Sequence, residues 1–178
     1  MNIPRVDDAF EMCERHLTAT ESYGTQIEAV LTSYVSAVIY SAFEAQARSI
    51  IASRAAGNGS DGHLESFART AAVRLIRSIK ISELAGAAAL FHPDCKRRFK
   101  EALADEVANA WDTIISNRHG LAHEADPGGS VSSVSNLTFM ELKGLYPTAF
   151  TVLDTLRNAV HVAVEKSQVI DASPTADA

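Results

Sequence analysis

Apolar positions recur along nearly the whole chain at intervals of three and four residues, the period of a helix that buries one face. No stretch alternates with the period of two that a half-buried strand needs. After Pro4, the residues Val6, Phe10, Cys13 and Leu17 share one face of a first helix that stops before Gly24. Thr25 opens a second helix as its N-cap, with Glu28 three residues on completing a capping box. Ile27, Val30, Leu31, Tyr34, Val35, Val38, Ile39, Ala42 and Phe43 then form the clearest apolar stripe of the chain, which runs out in the glycine-rich AAGNGSDG, residues 55–62.

A third helix is predicted from Leu64 to Ile79 and a short fourth over ISELAGAAALF, halted at His92-Pro93, where proline prevents continuation. Asp94 is placed to cap a fifth, whose stripe is Phe99, Leu103, Val107, Ala110, Trp111, Ile114 and Ile115. Residues 124–136, EADPGGSVSSVSN, have the composition of a loop. Thr138 with Glu141 makes another capping box ahead of a last long helix from Leu142 to Val164, with a kink or break expected at Pro147. The pattern predicts an all-α fold: a helical bundle of five to six helices forming one domain over residues 1–166, followed by a disordered C-terminal tail over 167–178.

Composition narrows the setting. With 178 residues, 47% apolar and 21% charged, the chain has the balance of one globular domain. Cys13 and Cys95 are its two cysteines, too few for a disulfide framework or a paired-cysteine metal knuckle, and this points to a reducing, cytoplasmic setting. No apolar segment of secretory or membrane-spanning length is present in the sequence, so neither export nor membrane insertion is expected. A net charge of −6 argues against loose, sequence-blind binding to long nucleic acid, although a local basic site is compatible with it. The densest basic cluster is CKRRFK, residues 95–100, preceded by Arg69, Arg74, Arg77 and Lys80; taken alone, such a cluster reads as a solvated helix face.

Candidate chemistry gathers in SNRHGLAHE, residues 116–124. The apolar stripe of the fifth helix projects forward through Arg118, and an unpaired guanidinium in a buried row costs several kcal/mol. Arg118 therefore belongs at a seam that water, a partner chain or an anion reaches. Gly120 is a natural place for the helix to end. A break there lets His123 fold back toward Arg118 or face a second copy of the chain, whereas an unbroken helix sets the two about 140° apart.

Two chemistries compete for the stretch. His119 and His123 have the H-x-x-x-H spacing of a metal pair, but Gly120 stands where the zinc hydrolase pattern has its glutamate, and a third ligand would have to come from Glu124, Asp126 or elsewhere. Phosphate chemistry needs fewer parts. A histidine can take the 2′-hydroxyl proton of RNA or protonate the leaving 5′-oxygen, and an arginine supplies fixed positive charge at the phosphorus without a metal. The plainer alternative is an arginine that complements the helix dipole beside a surface histidine.

These residues resemble a known family. NRHGLAHE is similar to the R-x(4–6)-H signature of HEPN domains, small all-α proteins in which a polar residue typically follows the arginine; His119 holds that place here. YVSAVIYSAFEAQARSII resembles the long early helix of the group, with its Phe-Glu pair at Phe43-Glu44. VSNLTFMELKGLYPTAFTVLDTL is similar to the segment after the motif in the RiboL-PSP-HEPN branch, so that the likeness covers most of residues 25–165.

The resemblance implies a homodimer whose motifs face each other and a metal-independent endoribonuclease that needs no cofactor. It also implies RNA as substrate, commonly left with a 2′,3′-cyclic phosphate, and a place in toxin–antitoxin or antiviral defence systems, where an antitoxin protein is a further partner. Arg118 would hold the scissile phosphate, His123 would be the acid or base, and His119 would orient them or touch RNA. Glu44 would support the site, or else pair with Arg48 one turn on along a solvated face. The alternatives are a catalytically silent HEPN-like interaction module or adaptor in a defence operon, and a metal-binding helical protein.

Overall fold

The structure, a computed structural model, describes residues 3–57, 61–123 and 137–161, with residues 118–123 as backbone only. Among the described residues there are seven α-helices and no strand, one helix more than the upper count the pattern predicts. They are α1 (Pro4–Ala19), α2 (Gln26–Ala56), α3 (Gly62–Leu75), α4 (Ile81–Ala89), α5 (Pro93–Glu101), α6 (Asp105–His123) and α7 (Phe139–His161). None of them is long and apolar enough to cross a membrane. The loop expected over residues 124–136 and the tail expected over 167–178 lie outside the described residues.

Aromatic packing centres the bundle. Phe43 of α2 stacks flat on Trp111 of α6 with ring centroids 4.6 Å apart, and Tyr146 and Phe150 of α7 close on the same Phe43. Phe10 of α1 meets Phe139 edge to face, which carries the core to the start of α7. The Trp111 indole donates from Nε1 to the Ile79 carbonyl at 2.8 Å, so this fully buried ring leaves no orphan donor.

Several boundaries depart from the pattern. The third helix stops at Leu75, four residues early, and side chains of other helices take carbonyls of the segment that follows: Arg48 donates Nη2 to Ile76 O at 3.1 Å and Trp111 donates Nε1 to Ile79 O. The expected fifth helix is two, α5 and α6, separated at residues 102–104 while the apolar stripe stays in phase across the gap. Asp105 and Glu106 mark the new start by placing carboxylates at the positive end of α6. His92, rather than Asp94, caps α5, its Nδ1 accepting from the Asp94 N–H at 3.2 Å. Pro147 lies inside α7, which is not broken there.

The two capping boxes have different outcomes. At α7 the box is complete: Thr138 N donates to Glu141 Oε2 at 2.8 Å and Glu141 N to Thr138 Oγ1 at 3.2 Å. At α2, Thr25 Oγ1 accepts from Ile27 N, but Glu28 turns elsewhere, one oxygen taking the Gly24 N–H and the other the buried Phe139 N–H at 2.9 Å. A residue expected to cap its own helix thus caps α7.

The stripe read on α2 is also divided. Val35, Ile39, Ala42 and Phe43 are buried, whereas Ile27, Val30 and Tyr34 are 47%, 59% and 47% exposed. The inward positions of this half include Glu28, Thr32 and Ser36, all buried. From Ala29 to Phe43 the helix carries no charge at all.

Candidate functional site

The helix that carries the motif is positioned by two contacts with α2. Trp111 lies on Phe43, and a turn and a half further on Asn117 Nδ2 donates to Ser36 Oγ at 3.0 Å. Rising residue numbers on α6 meet falling numbers on α2, so the two run antiparallel, and the last turns of α6 continue toward the α2 N-terminus. Ser36 is buried and offers that hydroxyl in the core-facing row. Asn117 immediately precedes Arg118, so this bond fixes the height and rotation at which α6 enters the motif. Sequence reasoning missed it: a polar pair 81 residues apart leaves no periodic signal.

The backbone stays helical through Gly120 to His123. The expected opening for a helix end at Gly120 is therefore not taken. On a continuous helix Arg118 and His123 are about 140° apart and about 7.5 Å apart along the axis, which removes the fold-back within one chain. His119 and His123, by contrast, are about 40° apart on one side of α6. The side chains of Arg118, His119 and His123 lie outside the described residues. Among the described residues no cluster of three His, Cys, Asp or Glu stands ready to hold a metal ion.

Glu44 is engaged by Arg48, with Nη2 to Oε1 at 3.1 Å and both side chains about three-quarters buried. The same guanidinium nitrogen also bonds the Ile76 carbonyl, so the pair ties α2 to the end of α3. Glu44 lies eight residues beyond Ser36, about 12 Å along α2 and away from the motif turn. Within one chain the structure brings Asn117 and Ser36 to the motif and leaves Glu44 at a distance.

On the other side of α6, Lys80, Ser82, Asp112 and Ser116 line a cleft of about 350 Å³ at the start of α4. Burial pushes the Asp112 carboxyl above its ordinary value, and the nearby Lys80 ammonium pulls it part of the way back. This cleft opens one to two turns before Arg118. Compared with models of protein families, with curated proteins and with solved structures, the chain has no match.

Proposed function

We propose that the protein is a metal-independent endoribonuclease of the HEPN type, working as a cytoplasmic homodimer and serving as the toxin of a toxin–antitoxin or antiviral defence system. The observation that carries this reading is the unbroken α6. An arginine and a histidine about 140° apart on one helix cannot meet on one phosphate, so the pair is drawn from two chains: Arg118 of one protomer and His123 of its partner. His123 takes the proton of the 2′-hydroxyl, or gives one to the departing 5′-oxygen, and Arg118 neutralises the charge that builds on the phosphorus oxygens. His119, beside Arg118, orients the pair or contacts the strand. Glu44 holds Arg48, and its support of the site is indirect, through the placement of α2.

The outward face of α2 supports self-association. Ile27, Val30 and Tyr34 follow the three-then-four spacing of a helix seam, and Val30 and Tyr34 sit in a stretch with no charge. Two chains that each carry −6 can meet on such a face without bringing like charges together.

The test joins assembly to chemistry. Light scattering reports a dimer at micromolar concentration, and Arg118→Ala and His123→Ala each abolish RNA cleavage and growth arrest with helicity and melting unchanged, while EDTA leaves the wild type active. A heterodimer of the two variants regains about half the wild-type activity, because one of its centres keeps both groups. Activity lost in EDTA and restored by zinc would return the stretch to a metal site at His119 and His123. A dimer that cleaves no RNA would leave an interaction module or adaptor.

A further inference from the structure

The chain is acidic, yet residues 62–100 carry eight Lys and Arg against three Asp and Glu, a net of +5. The asymmetry sharpens between Ser66 and Ser82, where Arg69, Arg74, Arg77 and Lys80 occur with no acid. Arg69 is tied to Glu65 one turn back. Arg74, Arg77 and Lys80 are exposed and make no ion pair among the described residues. Cations so concentrated repel one another; the Asp112 carboxyl beside Lys80 offsets part of that repulsion, and an anionic ligand removes more of its cost.

The three follow one another along the segment that leads from α3 to the cleft beside α6. The Arg48 bond to the Ile76 carbonyl pins the end of α3 to α2, and the Trp111 bond to the Ile79 carbonyl pins the following connector to α6. Arg74 is in the last turn of α3, Arg77 on the connector, and Lys80 at the cleft shared with Asp112 and Ser116. From Asp112 to Arg118 is about 9 Å along α6. At the outer end of the row Phe67 is 70% exposed, two turns before Arg74 and on the same side of α3. An aromatic ring left in water two turns from a guanidinium on the same helix side is a poor use of the ring for folding and a good platform for an unpaired base.

We propose that Phe67, Arg74, Arg77 and Lys80 form a docking surface for single-stranded RNA, Phe67 stacking on a base and the three cations following the phosphates toward the turn of α6 that carries Arg118. A single strand offers a ring face at every nucleotide beside its phosphates, which matches one ring and a run of cations, whereas an acidic peptide carries rings only where its sequence places them. A lipid surface calls for cations flanking an apolar sector, whereas here they continue along the connector in one direction. The proposal rests on the ribonuclease reading for what happens at the end of the row, but the binding surface is tested without it.

Binding is read by fluorescence anisotropy on a labelled 20-nucleotide single-stranded RNA, using the full chain with His123→Ala so that no strand is cut. Replacing Arg74, Arg77 and Lys80 together by Ser should weaken binding at least tenfold at 100 mM salt. It should also lower the slope of log K against log salt by about 2, since each phosphate contact on a single strand contributes about 0.7. Phe67→Ala should weaken binding about tenfold with the slope unchanged, and Phe67→Trp should restore it. The control replaces Lys96, Arg97 and Lys100 of α5 by Ser and should move affinity less than twofold. Equal losses from the two triple variants, no RNA binding at all, or binding to phosphatidylserine vesicles that the Arg74–Arg77–Lys80 variant abolishes while RNA binding survives, would each overturn the proposal. Cleavage by the otherwise native chain with an unchanged KM when Arg74, Arg77 and Lys80 are replaced removes the surface and leaves the nuclease. Binding through the surface without cleavage does the reverse.

Discussion

Glu28 is the residue whose replacement tests the fold most directly. Its carboxylate is buried between two helices and accepts from Gly24 N at 2.5 Å and from Phe139 N at 2.9 Å. The Thr138–Glu141 box satisfies the amides of Thr138 and Glu141 and leaves the Phe139 amide to Glu28. In Glu28→Ala both bonds disappear. Gly24 is exposed and its N–H turns to water, but the Phe139 N–H has no such recourse, and a buried donor without a partner costs about 1–3 kcal/mol. The lost attraction between the carboxylate and the positive end of α7 adds about 1 kcal/mol, so the sum is about 3 kcal/mol.

Glu28→Gln separates charge from shape. The amide oxygen still serves Phe139, while its NH₂ meets the Gly24 N–H as a second donor, and the cost falls to about 1–2 kcal/mol. Urea unfolding followed by circular dichroism measures both, and with a slope of about 2 kcal/mol per molar the alanine variant should shift the midpoint by about 1.5 M. An alanine variant within about 0.5 kcal/mol of wild type, or a glutamine variant less stable than alanine, would show that Glu28 does not anchor α7 in the way described.

Two further outcomes follow from single contacts. Trp111→Phe keeps the ring over Phe43 but leaves the Ile79 carbonyl without its donor, and should lower stability by about 1–2 kcal/mol in the same urea assay with no change in slope. The Glu141 carboxyl is held below its ordinary value of 4.5 by hydrogen bonds from Thr138, so its contribution is complete above that value and is lost as pH falls through the lower folded-state value; Glu141→Gln should flatten that acid limb of the stability–pH curve, and an unchanged limb would contradict the bond.

The elements that could be read from the chain are those whose stability is local. Thr138 and Glu141 lie three residues apart and their box forms as the spacing predicts. The break between α5 and α6 was hidden because Phe99, Leu103 and Val107 remain in step across it, so the periodicity is the same for one helix or two. The end of α3 was hidden for another reason: the donors that take the Ile76 and Ile79 carbonyls come from Arg48 and Trp111, 28 and 32 residues away. At the site, the spacing of Arg118 and His123 was legible, and so was the angle a continuous helix would impose. Whether Gly120 ends the helix was not, because glycine allows either outcome and packing around the helix decides between them.

The N-terminal half of α2 turns polar groups inward and apolar residues outward beside the buried Val35 and Ile39. Its inward row carries Glu28, Thr32 and Ser36, and its outward row carries Ile27, Val30 and Tyr34. Each inward polar group has a task that an apolar residue could not perform: Glu28 holds the start of α7, Thr32 returns its hydroxyl to the Glu28 carbonyl, and Ser36 receives Asn117 from α6. Further along the same helix, Arg48 holds the end of α3. One helix thereby sets the heights of three others, including the one that ends in Arg118 and His123. Among the described residues the outward ones do nothing comparable, and leaving them in water forgoes about 25 cal/mol for every Å² of apolar surface they expose. In the proposed homodimer a second copy of α2 laid against this face would recover that energy and would bring a second Arg118 and His123 near the first, so the exposed apolar row of α2 and the motif split around the axis of α6 would have one remedy in common.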